Sequence, residues 1–114
     1  MSASEVEENL EGWAELTLPQ QLVRIAHAAD AAHNLSRVRT GKYSAQHNRV
    51  LRMVDLTLEA QFNPSLRREL ELWREYFADY YRGNPNPPDS HRTVLRCLLQ
   101  LNPESARQIQ FLCP

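Results

Sequence analysis

The segment NPSLRRELELWREYFADYYRG, Asn63 to Gly83, leaves this chain few choices of fold. Asn63 suits a helix cap, Pro64 a first helical turn, and Gly83 the end of a helix. Between them Leu66, Leu70, Trp73, Phe77 and Tyr80 or Tyr81 recur at steps of four and three, the spacing of one helical face. Five of the nine aromatic residues fall between Trp73 and Tyr81, so the core is expected to be built on this face. Such a helix needs partners with the same periodicity, and the chain supplies them.

Thr17-Leu-Pro-Gln20 has a capping-box pattern and opens a helix expected over 17 to 41. Leu18, Leu22, Ile25, Ala29 and Ala32 form its narrow apolar seam, and its many alanines would let another helix approach closely, the one with the bulky aromatics being the expected neighbour. A second long helix is expected over 44 to 62, capped by Ser44 and burying Val50, Leu51, Val54, Leu58 and Phe62. Asn63-Pro64 breaks it, because the residue before proline is pushed out of the helical region. After the aromatic helix, the prolines of NPNPPDS forbid helix. Shorter helices are expected over 90 to 101 and 103 to 112, the latter opened by a second Asn-Pro at 102 and 103.

These elements predict an all-α fold: three long helices in an up-down-up antiparallel bundle, closed by two shorter C-terminal helices. With only three glycines in 114 residues, a turn-rich β fold is excluded as an expectation. The expected organisation is a single domain over 17 to 114, preceded by an acidic arm or short helix over 1 to 16. That arm carries Glu5, Glu7, Glu8, Glu11 and Glu15 without a basic residue, and Trp13 is its best means of docking on the bundle or on a second copy.

The sequence offers little that points to catalysis. No glycine-rich phosphate loop, nucleophile elbow or metal-binding cysteine spacing is present, so no cofactor or metal is expected and catalytic residues are not assigned. Asp30 lies three residues from both His27 and His33, but the two histidines diverge around the helix by roughly 120° and cannot readily share one ion. A metal-dependent helical enzyme would need Asp30 and His33 together with carboxylates from the aromatic helix. Neither cysteine, Cys97 or Cys113, has a partner at motif spacing, which fits reduced thiols. No apolar run approaches the roughly 18 residues of a membrane span, and no basic start precedes an apolar stretch; a cytoplasmic protein is the expectation.

Two surfaces stand out. Tyr76, Tyr80 and Tyr81 exceed what the core face of their helix can bury equally, and with Trp13 they are the expected contacts of a homodimer or another protein partner. The leading functional expectation is therefore a small helical interaction or regulatory module that associates with itself. The second surface is the window Arg37, Arg39, Lys42, Tyr43, His47, Arg49 and Arg52, which contains no acid and joins guanidinium groups to stackable rings. It predicts, as the alternative, binding of RNA, a nucleotide or another anion. A formal net charge of -1 gives no global attraction toward such partners.

Overall fold

The computed structural model describes residues 10–37, 42–80 and 88–112. Their regular structure is entirely helical: α1 (Leu10–Ala14), α2 (Leu18–Arg37), α3 (Lys42–Ala60), α4 (Pro64–Tyr80), α5 (Pro88–Leu99), α6 (Pro103–Ala106) and α7 (Ile109–Leu112).

Local chemistry sets the helix starts. At α2 the capping box closes in both directions: Thr17 N donates to Gln20 Oε1 at 2.8 Å, and Gln20 N donates to Thr17 Oγ1 at 3.3 Å. At α4, Asn63 Oδ1 accepts from the backbone N–H of Ser65 (3.0 Å) and Leu66 (3.2 Å). Asn102 repeats the device at α6, extended at φ -143 and accepting from Glu104 N at 2.8 Å, with Pro103 following. Each cap satisfies backbone donors that have no partner inside the helix.

The four longest helices close a ring. α2 packs on α3, α3 on α4, α4 on α5, and α5 back on α2. Residue contacts run in opposite senses along adjacent helices: Gln61, just past the end of α3, donates to Gln21 near the start of α2, while Gln46 near the start of α3 donates to the Ala28 carbonyl further along α2. On the other side, His91 near the start of α5 meets Asp30 in the second half of α2. The ring places α2 diagonally across from α4, so the alanine-rich helix packs on α3, α5 and α6 and not, as expected, chiefly on the aromatic one.

Leu22, Ile25, Ala26, Ala29, Val50, Val54, Leu70, Trp73, Phe77, Val94, Leu95, Leu98 and Leu99 are buried in one continuous core. Burying a large apolar side chain is worth about 1.5–3 kcal/mol, so the ring is held mainly by this cluster. Phe62 was expected among them and is instead 85% exposed. α3 stops at Ala60, and the non-helical connection of residues 61–63 takes Phe62 off the helical register that would have turned it inward.

Of its two expected places, Trp13 takes the one docked on the bundle, which corrects its assignment to an interface. It is fully buried in its own chain, its Nε1–H donating to Thr57 Oγ1 at 2.7 Å, and α1 packs on α3. Thr57, also fully buried, donates a hydrogen bond from its hydroxyl to the Met53 carbonyl at 3.2 Å. Gln21 secures the same corner, donating through Nε2 to the carbonyls of Trp13 (2.9 Å) and Leu16 (3.2 Å). Those carbonyls lie at and just past the end of the short helix, where the Trp13 carbonyl also accepts from Leu16 N at 3.1 Å.

Candidate interaction face and basic cleft

α4 is divided lengthwise. Its inner face carries Leu70, Trp73 and Phe77, all buried. Trp73 and Phe77 stack with centroids 5.2 Å apart, His47 of α3 stacks on Phe77 at 5.0 Å, and Trp73 Nε1–H donates to the Val94 carbonyl of α5 at 2.8 Å. These contacts fix the rotation of α4 about its own axis, and so fix what it turns outward.

The outer face presents Arg68, Glu69, Leu72, Glu75 and Tyr76, all exposed. Leu72 is 59% and Tyr76 42% exposed, one helical turn apart, so two large apolar side chains lie together in water. Arg68, Glu69 and Glu75 make no ion pair or side-chain hydrogen bond among the described residues. At the edge toward α3, Arg74 forms a two-pronged pair with Asp55, Nε to Oδ1 at 2.8 Å and Nη2 to Oδ2 at 3.1 Å. Side-chain exposures of 35% and 52% keep that pair in water, where its net contribution is at most about 1 kcal/mol.

Of the residues expected at an interface, Tyr76 lies on this face, Trp13 is in the core, and the Tyr80 and Tyr81 side chains lie outside the described residues. Leu72 was missed. Its signal was legible: at about 100° per residue it sits well off the Leu66, Leu70, Trp73, Phe77 stripe, so a helix buried along that stripe must expose it.

The basic window divides as well. His47 turns toward α4 and Phe77, whereas Arg49 turns toward α2, and Arg52 is exposed. The side chains of Arg37, Arg39, Lys42 and Tyr43 lie outside the described residues. Arg49 and Gln46 face Arg24 and His27 of α2 across a cleft of about 330 Å³ whose lining, among the described residues, contains no acid. Arg24 and His27 also border a wider groove of about 580 Å³, with Gln20 and Val23 on one side and Glu104, Ser105 and Gln108 on the other. Arg24 was absent from the expected basic window because helix packing, not sequence proximity, brings it to Arg49.

At the α2–α5 contact, His91 Nε2 lies 2.9 Å from Asp30 Oδ1, and the ring of His33 stacks on that of His91 at 3.9 Å with a 9° interplanar angle. His91 is buried and Asp30 half-buried. The pair joins residues 61 apart in sequence and serves as a polar clasp between two helices. Glu71 and Glu75 are exposed on α4, and no group of three or more His, Cys, Asp or Glu among the described residues is arranged to hold a metal ion. The metal-dependent reading therefore finds no ligand set there. Among the same residues no helix is long and apolar enough to cross a membrane.

Comparison of the chain with models of known protein families, with curated proteins and with solved structures finds no match.

Proposed function

We propose that this chain is a non-catalytic interaction module that associates with itself through the outer face of α4. The observation that carries the reading is the exposed pair Leu72 and Tyr76, set among charged side chains that lack partners among the described residues, on a helix whose rotation is fixed by buried Trp73 and Phe77. An apolar centre with a polar rim is the anatomy of a protein contact. The exposed free thiol of Cys97 suits a reducing compartment, and the reading places the module in the cytoplasm. Sedimentation velocity from about 10 µM to 1 mM tests it, a range that covers weak self-association. The native chain shifts toward dimer over that range while Leu72→Glu stays monomeric; a native chain that is monomeric throughout overturns the proposal.

A second reading, anion binding, is favoured by the cleft between α2 and α3, where Arg24, His27 and Arg49 converge with no acid among the described lining residues. Arg24 and Arg49 each engage a further group of the protein, which an entering anion would displace. Phosphate titrated against the protein would then raise its melting temperature, and Arg24→Gln with Arg49→Gln would abolish the rise. Equal response of the native and doubly substituted proteins would remove this reading.

A further inference from the structure

The charge pattern around Leu72 specifies how two copies meet, an inference that rests on self-association through α4. On a helix of about 100° and 1.5 Å per residue, Glu69 and Tyr76 fall to one side of Leu72, and Arg68 and Glu75 to the other. Each pair straddles Leu72 along the axis, three or four residues away, or about 4.5–6 Å.

We infer that two copies pack α4 against α4 in antiparallel orientation, about a two-fold axis that passes between the helices at the level of Leu72. Such an axis keeps each side of the helix face opposite its own kind and reverses the direction along it. Leu72 then meets the partner's Leu72, Arg68 meets the partner's Glu75, and Glu69 accepts a hydrogen bond from the hydroxyl of the partner's Tyr76. Every one of these contacts occurs twice, as an isologous interface requires.

Three observations favour this arrangement. All five side chains are exposed, and Arg68, Glu69 and Glu75 have no ion-pair partner among the described residues. Arg67 and Arg68 lie toward the start of α4 and Glu71 and Glu75 further along, so antiparallel copies set a basic end against an acidic end and oppose their helix dipoles. A formal net charge of -1 leaves little repulsion between whole molecules. Parallel copies would pair Arg68 with the partner's Glu69 instead, and would align like ends.

Charge exchange separates these geometries. Sedimentation equilibrium is measured on the full chain with Arg68→Glu, with Glu75→Arg, and with both, each first shown to retain native helicity. Antiparallel pairing predicts that either single change weakens dimerisation at least tenfold, and that the double change restores it to within about threefold, because both cross-copy pairs are re-formed with their signs exchanged. If the native chain dimerises and Leu72→Glu prevents it, but the double variant stays weak, the antiparallel register is overturned while self-association through α4 stands. If the native chain is monomeric at 1 mM, both fall.

Discussion

Replacing Trp13 with alanine tests whether the start of the chain belongs to the fold. The side chain is 0% exposed, packs with the main core cluster, and donates a 2.7 Å hydrogen bond to fully buried Thr57. Truncating a buried tryptophan costs about 3–5 kcal/mol, from lost transfer energy and the cavity left behind. Domains of this size hold about 5–15 kcal/mol in total, so Trp13→Ala removes about a fifth or more of the stability. At about 4 °C per kcal/mol the melting temperature falls by roughly 12–20 °C. Trp13→Phe keeps most of the apolar volume but leaves Thr57 Oγ1 without its donor; Thr57 still donates to Met53, which limits the added loss to about 1–2 kcal/mol. Urea unfolding followed by far-ultraviolet circular dichroism measures both variants. A loss below about 1 kcal/mol for Trp13→Ala, close to that of an ordinary surface substitution, would refute the docking of α1 on α3.

Three smaller perturbations probe separate links. Asn63→Ala removes the acceptor shared by Ser65 N and Leu66 N and is expected to cost about 1 kcal/mol in urea unfolding. Ser105→Ala deletes a buried hydroxyl that donates to the carbonyls of Leu99 (2.6 Å) and Asn102 (3.0 Å); a loss of about 1–2 kcal/mol by the same assay is expected, and no loss would contradict that contact. A double-mutant cycle between Arg74 and Asp55 is expected to give a coupling of at most about 1 kcal/mol, shrinking in added salt because both side chains are well exposed.

What the sequence made legible was what local chemistry decides. Thr17 and Gln20, or Asn63 and the amides after it, lie within three residues of each other, so their caps follow from spacing alone. The inward stripe of Leu70, Trp73 and Phe77 is equally local, since helical period alone aligns it. The misses depend on how helices come together. Phe62 fits the helical period of α3 but falls beyond its last residue, and periodicity does not mark where a helix stops. Trp13 pairs with Thr57 across 44 residues, and His91 with Asp30 across 61, distances at which no spacing rule operates. The described part of the basic window divides for the same reason: neighbouring residues on a helix point in different directions, so His47 and Arg49 part company while Arg24 joins Arg49 from another helix. Leu72 was readable by subtraction, as the large apolar residue that the core stripe leaves outside.

Backbone amide NMR shifts followed as concentration rises from about 20 µM to 1 mM locate any contact between copies residue by residue. Self-association through α4 predicts that concentration-dependent shifts centre on Arg68 to Tyr76, with the α2–α3 cleft around Arg24 and Arg49 unchanged. Shifts centred on that cleft or on another helix, with the α4 amides constant, would contradict it.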